Sequence, residues 1–242
     1  MRNAVIVCVL GLALAGPVVA QHEAELEPAN NNIANTASLQ RGAKYFVNYC
    51  LGCHSAKYVR YNRLGQDLQL SDQQLIDNLM FTGERPFDTM ANAMRPEDSE
   101  RWFGRSPPDL SLIARSRGTD YIYTFLRSFY ADPSRPTGVD NIVLPGTAMP
   151  HVLWQLQGTQ SAVFGKDDHG AEVFERFDLA RPGELDVDGY DSVVRDIVNF
   201  LDYIGEPIKR ERQQLGIRVI GFLLVFLLIA YMLKKEIWKD VK

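Results

Sequence analysis

The chain opens on an apolar run, Ala4 to Leu14, behind one positive charge at Arg2. It closes at Val18-Val19-Ala20 into polar sequence from Gln21. A basic start, a short apolar core and a small-residue end predict an export signal over 1–20, cleaved after Ala20. The competing reading, a retained N-terminal anchor, asks a short core to span a bilayer. A second apolar stretch is of another kind. Val219 to Leu233 carries no charge, and Leu215-Gly216-Ile217 extends it beyond Arg218 toward the ~20 residues that cross a membrane. Arg218 can snorkel to the headgroups, and Tyr231 and Trp238 can sit at the interfaces. A transmembrane anchor is therefore predicted over 215–233, after a linker at 208–214 and before a basic cytoplasmic tail at 234–242. A buried core helix is the alternative, but such a helix keeps a polar face. Flanking charge does not orient the span, because Lys209, Arg210 and Arg212 nearly match Lys234, Lys235, Lys239 and Lys242. The export signal does, and it puts residues 21–207 outside the cytoplasm.

Within that body, residues 21–35 are polar and Asn-rich and read as extended. Leu39, Gly42, Phe46 and Tyr49 recur at helical spacing behind Ser38, which predicts a helix from Ser38 to about residue 49. Ser71 can cap a short helix reaching Met80, with Leu75, Ile76 and Leu79 inward. Residues 82–108, rich in Gly, Pro and charge, read as irregular. Helical patterning returns from Ser111 to about Tyr130, with a break near Gly118. A long loop follows, punctuated by Pro133, Pro136, Gly138, Pro145, Gly146 and Pro150. Residues 166–191 read as an acidic surface insertion. Val194, Ile197, Val198, Leu201 and Ile204 then form one stripe of an amphipathic helix over Val193 to Ile204, interrupted by Pro207. The expected fold is mainly α, with long loops and insertions and one C-terminal transmembrane helix.

Composition narrows the chemistry. The 242 residues allow one fair-sized domain beside the two apolar segments. A net charge of -4 argues against a nucleic-acid partner, which calls for a basic stripe. Of three cysteines, Cys8 falls in the leader, leaving Cys50 and Cys53. Cys50-Leu51-Gly52-Cys53-His54 is a C-x-x-C-H run, the attachment signature of c-type haem. Two thiols three residues apart can each add to one vinyl group, and the next residue presents an imidazole to the iron. Export agrees with this, since bacteria attach haem c outside the cytoplasm. A redox disulfide lacks its βαβ surroundings, and a zinc site lacks further ligands, because His22, His151 and His169 are scattered.

One covalent haem with His54 needs a sixth ligand or an open position. Met80, Met90, Met94, Met149, His151 and His169 are candidates. Met149 is favoured, because Leu144-Pro145-Gly146-Thr147-Ala148-Met149-Pro150 is a stiff loop, and Pro150 holds the residue before it extended. His151 is the rival ligand, and a gap-filling core methionine is the bland alternative. Met80 lies on a helical apolar face and reads as core. Met/His ligation raises a haem potential.

At these residues the chain resembles cytochrome c1, the haem subunit of the quinol:cytochrome c oxidoreductase (bc1 complex), in its bacterial form. The motifs are C-L-G-C-H-S with Tyr58, Tyr61 and Leu64; Met94-Arg95-Pro96; Pro107-Pro108-Asp109-Leu110-Ser111; Ala114-Arg115-Ser116-Arg117; Asp120-Tyr121; Ala148-Met149-Pro150; and Val198-Asn199-Phe200-Leu201 leading to Glu206-Pro207. The resemblance implies a cytochrome c-like haem domain with haem c held by Cys50 and Cys53 and ligated by His54 and Met149. It also implies Pro108 packing near the haem, Arg117 pairing with a propionate and Tyr121 close by. From the residues alone, Arg115 serves a propionate as well as Arg117. The helices near Ser38 and Val193 would cross at Gly42, with Phe46 and Phe200 or Tyr203 in the contact. Implied partners are cytochrome b and the Rieske iron–sulfur subunit, with a soluble or membrane-bound cytochrome c as acceptor. The implied setting is a dimeric complex in the bacterial inner membrane, haem domain on the periplasmic side. The chain departs from some bacterial relatives in having no cysteine left for a disulfide before the ligand methionine, so packing and prolines must hold that loop. The acidic run is either a solvated face or a surface that steers a basic cytochrome c. Competing readings are a subunit of another respiratory complex such as a terminal oxidase, and a haem enzyme or gas sensor with an open sixth position.

Overall fold

A computed structural model of the chain describes residues 25–167 and 170–240. The export signal with Arg2 and Cys8, and likewise His22, Asp168, His169 and Lys242, lie outside the described residues. The helical period read from Leu39, Gly42 and Phe46 produces α1 (Thr36–Tyr45), prolonged by a π-helical turn over Phe46–Cys50. Next come β1 (Ala56–Arg60), α2 (Tyr61–Asp67), α3 (Asp72–Leu79), β2 (Thr89–Met90) and α4 (Pro96–Phe103). The middle of the chain holds α5 (Ile113–Arg117), α6 (Thr119–Arg127), β3 (Phe129–Ala131), β4 (Val139–Asn141) and α7 (Trp154–Gln157). A long hairpin, β5 (Gly158–Lys166) and β6 (Glu172–Pro182), precedes α8 (Val187–Gly205) and α9 (Lys209–Ile237). The pairs β1–β2, β3–β4 and β5–β6 are separate antiparallel ribbons, so the fold is mainly α as expected.

The crossing of α1 on α8 organises the core. At Gly42 a Cβ would overlap the Asp196 carbonyl and stand 2.7 Å from the Phe200 Cβ, so only hydrogen fits between the two backbones. Phe46 meets Phe200 at 5.4 Å between centroids, and Phe200 meets Tyr203 at 6.3 Å, as the sequence led us to expect. Polar groups at the crossing are all partnered. Asp196 accepts from the Ser38 hydroxyl (2.6 Å) and from Arg41 Nε (2.6 Å) and Nη2 (2.9 Å). Asn199 donates to the Asn32 carbonyl and to the Ser38 hydroxyl, both at 2.9 Å.

Several boundaries differ from expectation. Asn35, not Ser38, caps α1, accepting from the Ser38 amide; that leaves the Ser38 hydroxyl for Asp196. Ser71 does cap α3, in a reciprocal box with Gln74. α8 starts six residues before Val193, because Asp186 accepts from the Gly189 amide and caps it there. The stretch 82–108, read as irregular, contains α4, which starts on Pro96, a residue suited to a first helical turn. The acidic run 166–191 is not one insertion. Most of it is β6 and the start of α8, and its strand partner begins earlier, at Gly158. Residues 209–214, read as linker, are helical: α9 runs unbroken over 29 residues, long and apolar enough to cross a bilayer.

Candidate functional site

The π turn lengthens α1 by one wide loop of backbone, with the Leu51 amide donating to the Phe46 carbonyl (2.9 Å). Such turns are rare and concentrate at functional sites. Here it delivers Tyr49 and Cys50 to the wall of an apolar cavity of about 280 Å³. The chain then turns sharply, the Cys53 and His54 amides donating to the Cys50 carbonyl at 3.0 and 2.8 Å, and Cys53 and His54 join the same wall. Both cysteines are free thiols. Burial, with Cys53 alongside, pushes the Cys50 thiol up to about 12, and burial also raises that of Cys53. Both are therefore neutral at pH 7.

His54 Nδ1 lies 2.8 Å from the Pro108 carbonyl. A carbonyl only accepts, so Nδ1 carries the proton and Nε2 keeps its lone pair. Burial lowers the pKa of this imidazole, against the opposing pull of the Pro108 hydrogen bond. A metal-ligating histidine has this arrangement, its second nitrogen fixed by a backbone acceptor. Pro108 stays in place because the loop around it is stitched to the segment after His54. The Leu110 amide donates to the Ser55 carbonyl (2.7 Å), the Lys57 amide to Asp109 Oδ2 (3.0 Å), and the Tyr58 amide to the Ser111 hydroxyl (3.1 Å). The P-P-D-L-S run thus braces the imidazole.

Met149, Pro108, Arg117 and Tyr121 all line the cavity with Cys50, Cys53 and His54, so the structure brings together every site residue named from the sequence. His151 is not on that wall. It is buried, stacked on Phe129 at 5.0 Å, and burial pushes its pKa down to about 4. Met80 and Met90 are core residues away from the cavity. The two arginines separate. Arg117 lies on the cavity wall, its guanidinium 5.5 Å from the Tyr121 ring centre, whereas Arg115 turns away to Glu206 (3.5 Å). Sequence reading missed Arg105, a second cation on the wall, and Phe125, which stacks on Tyr121. It also missed Asn92, which donates to the Cys53 carbonyl and receives the Ser55 hydroxyl. No local pattern marks these three, since only the fold brings Arg105 and Phe125 to the cavity and Asn92 to the Cys53–Ser55 backbone.

The profile of the Cytochrome C1 family matches residues 31–161 and 187–241. The chain belongs to the cytochrome c1 family. It is 46% identical to the cytochrome c1 of Allochromatium vinosum, over the full length of both proteins. It is also 43% identical to the ammonia monooxygenase gamma subunit of Nitrosomonas europaea, over 94% of this chain and 95% of that one. The cytochrome c1 of Rhodospirillum rubrum is 28% identical over 84% of this chain and 82% of its own. Membership of the cytochrome c1 family implies a haem c and an electron-transfer role as the haem subunit of a bc1 complex. The cavity fits that group. It is apolar, has two neutral thiols and an imidazole with a free Nε2 on one wall segment, holds a thioether, and carries two cations suited to carboxylates. Between its two matched segments the family profile skips 162–186, which is most of the β5–β6 hairpin.

Proposed function

We propose that this chain carries one haem c, bound by thioethers to Cys50 and Cys53, and passes single electrons from a Rieske iron–sulfur subunit to a soluble or membrane-bound cytochrome c. The observation that carries this reading is the shared cavity of Cys50, Cys53, His54 and Met149, with the His54 tautomer set by Pro108. When bound, the haem supplies a one-electron iron couple. The chain's residues do the rest. His54 Nε2 and the Met149 sulfur ligate the iron, and a Met/His pair raises the potential to suit a late carrier. Arg117, with Tyr121 beneath its guanidinium, pairs with a propionate, and Arg105 adds a second positive charge. Ile197 and Leu201 from α8 and Phe125 from α6 exclude water from the site. Burial of this kind is one of the protein's means of tuning a haem potential.

In this reading the body, 21–207, stands on the periplasmic side of the bacterial inner membrane after removal of 1–20. α9 crosses the bilayer once, with the basic end in the cytoplasm. Cytochrome b is the neighbour within the membrane, and the assembly is a dimer of multi-subunit protomers.

A second reading has one observation in its favour, the similarity to the ammonia monooxygenase gamma subunit of Nitrosomonas europaea. It makes the chain a subunit of a monooxygenase. One experiment separates the two: purification from membranes in mild detergent, with redox spectra of the purified sample. Co-purification with a b-type cytochrome and a Rieske protein, and a low-spin c-type haem, supports the first. Recovery with monooxygenase subunits instead moves the chain to the second. A high-spin haem that binds carbon monoxide readily removes Met149 from the iron.

A further inference from the structure

The loop that carries Met149 has no cysteine to staple it, and the structure holds something else in that place. Asp140 sits at the middle of the β3–β4 ribbon, opposite Tyr130, and is 3% exposed. Its carboxylate is fully used. Oδ2 accepts from Arg135 Nε (2.8 Å) and Nη2 (2.6 Å), while Oδ1 accepts from the amides of Asn141 (2.8 Å) and Gly146 (2.7 Å). Gly146 is three residues before Met149, and its φ of +79° makes a left-handed turn there. A Cβ on Gly146 would stand 3.5 Å from Arg135 Nη2, so the guanidinium packs over the same turn that the carboxylate binds. Asn141, wholly buried, continues the frame by accepting from the Val143 (2.9 Å) and Leu144 (3.2 Å) amides. The Thr147 amide then donates to the Leu144 carbonyl, and the Met149 amide to the Thr147 hydroxyl (3.3 Å).

We propose that Asp140, neutralised by Arg135, is a positioning residue for the sixth iron ligand: it anchors the Gly146 turn and so holds Met149 at the cavity. This rests on the reading of Met149 as that ligand. A thioether is a neutral, weak donor, so the fraction of iron that keeps it depends on how little the loop must be ordered to reach it. A buried carboxylate is costly unless each of its acceptor sites is filled. Here two of the four donors come from one arginine and one from the loop's own turn, which ties the ion pair to the loop. Replacing the charge breaks this frame outright. An amide at 140 has an NH₂ where a lone pair now meets either Arg135 or the Gly146 amide.

The test is made on the full chain in its native membrane complex, comparing D140N, D140A and R135K with wild type and with M149L. Ligation is read from haem spectra, midpoint potential and carbon monoxide binding to the reduced haem. Covalent haem staining and thermal unfolding follow the fold. D140N and D140A are expected to raise the carbon monoxide-reactive fraction about tenfold, the size of one lost charge-assisted hydrogen bond, and to lower the midpoint potential. R135K keeps the charge but loses the fork, and moves both readouts less in the same direction. S38A, which weakens the distant α1–α8 crossing, should lower the unfolding temperature and leave ligation alone. Wild-type ligation in D140N or, if the Asp140 variants fail to fold, in R135K overturns the proposal. So does a shift in S38A as large as theirs. If M149L itself keeps the wild-type spectrum, it is the ligand assignment that fails.

Discussion

α8 and α9 are separated by three residues, Glu206, Pro207 and Ile208, and both present apolar side chains, yet they solve opposite problems. α8 buries thirteen of its nineteen residues, and three of these, Asp196, Asn199 and Asp202, are polar with partners waiting in the protein. α9 buries none of its twenty-nine, and from Val219 to Leu233 it has no charge. A protein interior can take a carboxylate if it supplies donors, whereas a bilayer supplies none and tolerates only a self-satisfied backbone with apolar side chains. A set of apolar side chains is thus common to both helices. What distinguishes them is the presence of polar side chains that need a particular neighbour.

Parallel substitutions in the two helices and their contacts should have unlike consequences. The largest effect is expected at Gly42. Gly42→Leu forces a side chain into the Asp196 carbonyl, should cost about 3 kcal/mol or more, and should abolish accumulation of covalently haem-loaded protein on stained gels. Its counterpart, Gly221→Leu, meets nothing within 4 Å and should leave haem loading unchanged; an equal loss there would mean that α9 packs on a partner. Next, Leu224→Asp in α9 should cost insertion about 3 kcal/mol, shown by extraction of the protein from membranes by alkaline carbonate, without changing the haem spectrum. Asp196→Ala strands Ser38 and Arg41 and should lower the domain's denaturation free energy by about 2 kcal/mol, with membrane attachment intact.

The smallest effect belongs to the junction. Glu206 has its pKa lowered, chiefly by its hydrogen bond to Arg212, with Arg115 and Lys209 adding to the attraction. A depressed carboxyl pKa contributes stability above the unfolded value near 4.3, and that contribution is lost as pH falls through the folded value. Glu206→Gln should therefore lower the unfolding temperature slightly at pH 7 and converge on wild type in acid. A constant difference at all pH values would show that the charge is not what matters there.

Much of this is legible in the sequence, for physical reasons. The haem motif, the capped helix at Ser71 and the apolar tail depend on local spacing or composition, and those survive into the fold; the crossing at Gly42 is a long-range contact that only the family resemblance implies. The β5–β6 hairpin is not legible. Its register shifts between Thr159 and Gln160 and again between Val163 and Phe164, which breaks the two-residue alternation that marks a strand. The π turn that ends at Cys50 has no sequence signal either, because it differs from an α-turn only in closing its hydrogen bonds one residue further on. The choice between Arg115 and Arg117 needs the tertiary fold: two residues apart on one short helix, they point to Glu206 and to the cavity.

The junction between α8 and α9 has a mechanical consequence. Lys209 of α9 donates to both oxygens of Asp202 in α8, at 2.8 and 2.9 Å, while Arg212 and Arg115 grip Glu206 from either side. With the cavity built partly on α8, this makes a braced post and not a tether. If α9 is seated in the bilayer, such a brace holds the cavity near one height above it, which a flexible tether would not.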